Sequence, residues 1–168
     1  MQVLEASVAT NPWPLRRERA AELAERYPHA AEMLRLYQAL TVVQEAACGS
    51  PSPQNIASFA VGHVLPGVID VTVELGPRAL RDGVVAMYAS ANLEELIQRW
   101  LDQEPLNPFE TYLARASASP LLESLAATPS NAGGGSSLQC PACGGLPQLS
   151  YFAVSGEALR ATGGLWPA

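Results

Sequence analysis

Ala30-Ala31-Glu32-Met33-Leu34-Arg35-Leu36-Tyr37-Gln38-Ala39-Leu40-Thr41-Val42-Val43-Gln44-Glu45-Ala46-Ala47 is the stretch that decides the fold. Met33, Leu36, Tyr37, Leu40, Val43 and Ala47 recur at helical spacing and line one face. Just upstream, Leu15 to Tyr27 is built from Arg, Ala, Glu and Leu, all good helix formers. Pro28 ends that helix or starts the next, because proline is tolerated in a first turn. Two such helices in succession predict a mainly α fold, opened by an N-terminal helical bundle domain.

The next segments extend that reading. Gly49-Ser50-Pro51-Ser52-Pro53 is a loop by composition, and a short helix is expected from Gln54 to Val61. Val68 to Leu75 alternates apolar and polar residues well enough to read as a strand. It has no second strand to pair with, so it is expected to be an extended connection inside the helical domain. Gly76-Pro77 opens a helix over Arg78 to Ser90, with Leu80, Val84, Met87 and Tyr88 inward. Asn92 is the expected N-cap of a helix over Leu93 to Gln103, whose apolar face is Leu93, Ile97, Trp100 and Leu101. A helix pair, Pro108 to Ala118 and Pro120 to Ala127, carries Phe109, Tyr112, Leu113, Leu121, Leu122 and Leu125. Asn131 to Ser137 has the small-residue composition of a flexible linker. The expected layout is a helical domain over 1–128, a linker over 129–138, a ribbon module over 139–160 and a tail over 161–168.

At 168 residues, 48% of them apolar and 15% charged, the chain is long enough to bury a core and reads as a folded soluble protein. Its net charge of −6 argues against nucleic acid, which needs a basic surface to neutralise phosphates. No run reaches the ~18 to 20 continuous apolar residues of a membrane span. Met1-Gln-Val-Leu-Glu5 has no basic region followed by an apolar one, so no secretory signal is visible. Three cysteines do not make a disulfide framework, and a reducing cytoplasm is the expected location.

The chemistry is concentrated late, in Cys140-Pro141-Ala142-Cys143-Gly144-Gly145. Two cysteines two residues apart, followed by glycine, make the tight turn that aims both sulfurs at one metal ion. A redox dithiol sits at a helix N-terminus, whereas Gly144-Gly145-Leu146-Pro147 starts no helix and Leu149 to Val154 reads as a strand. Knuckle then strand is the context of zinc ribbons and rubredoxins. Cys140 and Cys143 are therefore the candidate metal ligands, for iron or zinc, which all-thiolate sites both accept. They form half a tetrahedral site. A homodimer could supply the second pair, as could Cys48, His29 or His63 from the same chain.

Those three residues also have plainer roles. Cys48 ends an apolar helix face and reads as a buried small hydrophobe. His29 lies in a first helical turn, as a surface or capping residue. His63, in Ala60-Val61-Gly62-His63-Val64-Leu65, reads as a satisfied core polar group. Glu94 and Glu95 suit the first turn of a helix, where carboxylates complement the dipole. Neither a carboxylate pair, a Ser/His/Asp set nor a glycine-rich phosphate loop makes a catalytic case, so a non-enzymatic protein is expected. A cysteine-pair redox or electron-transfer module and a generic zinc-ribbon adaptor are the alternatives.

Ala21 to Leu40 and Cys140 to Pro147, in this order and joined by a small-residue linker, resemble the formate dehydrogenase accessory protein family FdhE. The resemblance runs from about Leu15 to about Arg160. It implies a cytoplasmic assembly factor that contacts the catalytic, molybdenum-containing subunit of formate dehydrogenase during maturation. It also implies a C-terminal part like two rubredoxin modules, holding metal through several C-x-x-C pairs. Only Cys140 and Cys143 match that pattern here. Gly156 to Ala168 stands where the next pair belongs, which reads as a truncated or frameshifted member, or a degenerate paralogue that kept its helical interaction domain.

Overall fold

The computed structural model describes residues 11–48, 54–89 and 91–126, and all of its regular structure there is helical. Helix α1 spans Pro12–Arg26 and a single 3-10 turn, Pro28–Ala30, leads into α2, Ala31–Cys48. A short α3, Ile56–Phe59, passes through a π-helical turn, Ala60–Val64, into α4, Leu65–Leu75. Helices α5 (Arg78–Tyr88), α6 (Leu93–Leu101) and α7 (Pro108–Ala126) complete the described domain. The expected linker 129–138, ribbon module 139–160 with its strand, and tail 161–168 lie outside the described residues, as does the loop from Gly49 to Pro53.

The first two helices form as their composition dictates. Asn11 caps α1 by accepting from the Trp13 N–H at 3.1 Å, with Pro12 in the first turn, where its missing donor costs nothing. Tyr27 closes the helix by donating its N–H to the Leu23 carbonyl, and Pro28 prevents further elongation. On α2, Leu36, Leu40 and Ala47 are buried as the spacing predicts, but Met33 and Tyr37 are exposed. A helix needs only one stripe for its core, and the expected face was wider than the stripe α1 and α7 cover.

Val68 to Leu75 is a correction: it is helix, not an extended connection. The sequence Val68-Ile-Asp-Val-Thr-Val-Glu-Leu75 alternates, yet Val64, Leu65, Val68 and Thr72 also fall on one helical stripe, and all four are buried. Burial of that stripe against α2 and α7 outweighs the β preference of valine, which amounts to tenths of a kcal/mol per residue, about 0.5. Thr72 Oγ1 donates or accepts at 2.6 Å with the Tyr112 hydroxyl and lies 2.6 Å from the Val68 carbonyl, so the buried hydroxyl is satisfied. Gly76 then ends α4, its N–H on the Thr72 carbonyl.

The 20-residue run Ile56–Leu75 has a mean hydropathy of 1.6, long and apolar enough by length and composition to cross a membrane. Counting continuous apolar residues misses it. A third of it is buried within the domain, against α2, α6 and α7, and it exposes His63, Asp70 and Glu74.

Helix α7 is the second correction: Pro108–Ala126 is one helix, with Pro120 inside it. Proline removes the bond to the carbonyl four residues back, here Ala116, at a usual cost of about 3 kcal/mol. The Gln44 side chain of α2 takes over that carbonyl, Nε2 donating at 2.9 Å. Two further bonds continue the seam: the Cys48 thiol donates to the Pro120 carbonyl at 2.9 Å, and Ser124 Oγ donates to the Cys48 carbonyl at 3.3 Å. Along this seam α7 is lined by small buried residues, Ala114, Ala116, Ser117 and Ala118, which let neighbouring helices approach closely.

Two glycines set helix distances. A Cβ on Gly67 would stand 2.9 Å from Val43 Cγ1, and one on Gly83 would stand 2.6 Å from Phe109 Cε1. Each is needed for close approach, α4 on α2 and α5 on α7. Helix α6 starts as expected, the Asn92 side chain accepting from the Glu95 N–H at 3.3 Å. Tyr88, expected inward on α5, is 53% exposed.

Two stability measurements follow from the seam. Gln44→Ala should destabilise the domain by about 1–3 kcal/mol in urea, by stranding the Ala116 carbonyl. Adding Pro120→Ala should recover about 1 kcal/mol or more of that loss, because alanine at that position supplies the missing N–H; strictly additive effects would refute the pairing. Ser117 Oγ is buried with no hydrogen-bond partner among the described residues, so Ser117→Ala should be neutral or stabilising by up to about 1 kcal/mol.

Candidate functional site

The expected ligands Cys140 and Cys143 lie outside the described residues. The three residues considered as their supplements occupy separate places. His29 is exposed on the 3-10 turn, edge-on to the Tyr27 ring at 6.0 Å. His63 is not a core group, as expected from its apolar surroundings, but an exposed residue of the π-helical turn, its ring 4.4 Å from that of Phe59. The widened turn rotates it outward relative to the buried Ala60 and Val64 on either side. Among the described residues, no three His, Cys, Asp or Glu side chains form a group that could hold a metal.

Cys48 sits at the end of α2 as expected, half-buried rather than fully buried. Burial pushes its thiol from 9.0 up to about 11, reinforced by the Glu123 carboxylate, against opposing effects of Arg16 and Trp13. Its proton is engaged by the Pro120 carbonyl. A neutral, hydrogen-bonded thiol of this kind is a poor nucleophile and a poor ligand.

The densest polar arrangement lies where α1 crosses α2 and α7, and sequence reading missed it. Glu45 on α2 receives Asn11 Nδ2 at 2.7 Å and Arg17 at 2.6 Å, which together hold its carboxyl below the ordinary range. Gln38 Nε2 donates to the Arg17 carbonyl at 3.1 Å. Arg16 reaches Glu123 of α7 at 2.9 Å while its guanidinium covers the Trp13 ring at 4.5 Å. Every charge in this cluster faces an opposite one, so it latches helices and leaves no group poised for proton transfer. The signal available in the sequence was weak, since the partners on different helices are 21 or more residues apart.

The described surface carries two apolar areas. One is a groove of about 300 Å³ between α1 and α2, lined by Leu15, Leu23, Leu34 and Tyr37 with Arg16 and Arg19 on its rim. The other lies across α4 and α5, where Val73, Leu75, Val85 and Tyr88 are exposed.

Since the folded state favours the neutral Cys48 thiol, its stabilising contribution is full below about pH 9 and is lost as pH rises through about 11. At about pH 8, alkylation of the Cys48 peptide should run roughly a hundredfold slower than in unfolded chain, as two units of raised pKa require. Equal rates, read by peptide mass, would contradict the buried assignment.

Compared with protein-family models, with curated proteins and with solved structures, the chain finds no match.

Proposed function

We propose that this protein is a non-enzymatic accessory factor of the formate dehydrogenase type, which binds the catalytic subunit of that enzyme during its maturation in the cytoplasm. The carrying observation is the stretch Ala21 to Leu40, which folds as the α1–turn–α2 hairpin and stands ahead of the Cys140-Pro-Ala-Cys143-Gly knuckle in the same chain. The exposed apolar side chains of α4 and α5, Val73, Val85 and Tyr88, support a binding role. Exposed apolar groups at this density on a helix pair gain by being covered, at about 25 cal/mol per Å².

In this reading the helical domain supplies the contact and the knuckle supplies half of a small metal module. Cys140 and Cys143 would hold iron or zinc as thiolates, with the remaining positions filled by a second pair. A metal so held staples a segment too short to build its own core.

Co-purification with the tagged catalytic subunit of formate dehydrogenase tests the proposal. Recovery well above that of an unrelated helical protein is expected, falling at least fivefold in Val73→Asp/Val85→Asp. No enrichment of the wild-type chain would sink it. Elemental analysis of the same preparation should give about one iron or zinc per two chains, lost in Cys140→Ser.

A further inference from the structure

We propose that α1 is a lid: it swings off as a unit about the turn at Pro28–Ala30 while α2 to α7 stay folded, and so uncovers the outer stripe of α2. Among the described residues the hydrophobic core runs from Leu36 to Leu121 and takes no side chain from α1. Trp13 and Ala20 are the buried residues of α1, both outside that core, and Leu15 is 68% exposed. An element with so few buried apolar contacts opens at a lower free energy than the domain as a whole.

Helix α2 carries two opposite stripes, and α1 lies on the one that the core does not use. Leu36, Leu40 and Ala47 face inward, whereas Leu34, Gln38, Thr41, Glu45 and Cys48, spaced four, three, four and three apart, follow the outer side. Polar bonds make most of the junction. Gln38 Nε2 donates to the Arg17 carbonyl at 3.1 Å, and Glu45 receives Arg17 at 2.6 Å and Asn11 Nδ2 at 2.7 Å. At the far end the Trp13 side chain reaches the Cys48 thiol, and Arg16 meets Glu123 of α7 at 2.9 Å. In both ion pairs α1 gives the cation and the body of the domain gives the carboxylate. All four groups are partly exposed, so water replaces each partner when the helix leaves. Trp13 is the one large apolar anchor of α1, and it makes the closed position the resting one.

The turn at Pro28 supplies the hinge. The last bond of α1 is the Tyr27 N–H on the Leu23 carbonyl, and Pro28 has no N–H to carry the ladder onward. The lid therefore opens without breaking a backbone bond of α2. Once off, a helix of 15 residues is marginal in water, and its amides exchange with solvent. The stripe it leaves holds Thr41, fully buried in the closed position, and the Cys48 thiol. The inference rests on the packing of α1 and is independent of the formate dehydrogenase reading, which uses the α4–α5 face.

Hydrogen exchange of the full chain, read by peptide mass, tests the lid. Relative to their unfolded-chain rates, the amides of α1 should exchange as one group, about tenfold or more faster than those of α2 and α7. Ile97→Val trims the core on α6, away from α1. It should speed exchange in α2 and α7 by about twofold to tenfold and leave α1 unchanged. Arg17→Gln should speed α1 by about threefold or more and raise the alkylation rate of Cys48 with it. Exchange of α1 that matches α2 and α7, or rises with theirs in Ile97→Val, overturns the proposal, because the domain then opens only as a whole. So does an α1 rate that ignores Arg17→Gln, which is fraying of a free end, or a Cys48 rate that ignores it.

Discussion

The hydrogen bond from Gln44 to the Ala116 carbonyl is the constraint on which the domain's architecture turns. Pro120 leaves that carbonyl without its helical donor in a partly buried position, where an unpaired polar group costs on the order of 1–3 kcal/mol. Gln44 restores the donor from a neighbouring helix, and α7 continues to Ala126 as a single rod. The Cys48 thiol on the Pro120 carbonyl and the Ser124 hydroxyl on the Cys48 carbonyl add two further bonds between the same two helices. A helix that depends on its neighbour for backbone bonds cannot shift along it. Registry between α2 and α7 is therefore fixed by polar groups, in a core whose apolar contacts alone would tolerate sliding.

Around that fixed pair the other helices are placed by size. Gly67 lets α4 reach Val43 of α2, and Gly83 lets α5 take the Phe109 ring of α7. Thr72 and Tyr112 tie α4 to α7 through one partly buried bond. Helix α1 is added from outside, through the ionic latches at Glu45 and Glu123 and through Trp13. Such exposed or half-exposed ion pairs contribute little each, about 0–1 kcal/mol, and orient α1 more than they hold it. That leaves Leu15 on the outer edge of α1 exposed, as Val73, Val85 and Tyr88 are on the α4–α5 face.

Much of the helical layout was legible in local sequence. Asn92 with Glu94 and Glu95 announced α6, and Pro28 announced the break between α1 and α2, because caps and proline act within a turn of where they stand. Val68 to Leu75 misled because valine-rich alternation satisfies both a period of two and a stripe at i and i+4. Pro120 misled because its replacement donor lies 72 residues away from the carbonyl it serves. His63 misled because an apolar neighbourhood in sequence says nothing about which way a π-helical turn faces. The knuckle at Cys140 and Cys143 was read from residue type and spacing alone.

What the sequence by itself determined is a helical domain, since helix formation and capping depend on residues a few positions apart. Only the tertiary structure decided that α4 is helix and α7 unbroken, that the Cys48 thiol is half-buried on the Pro120 carbonyl, and that Leu15 of α1 stays exposed. Each of those depends on burial and on partners from distant helices, and such contacts exist only once the chain has folded.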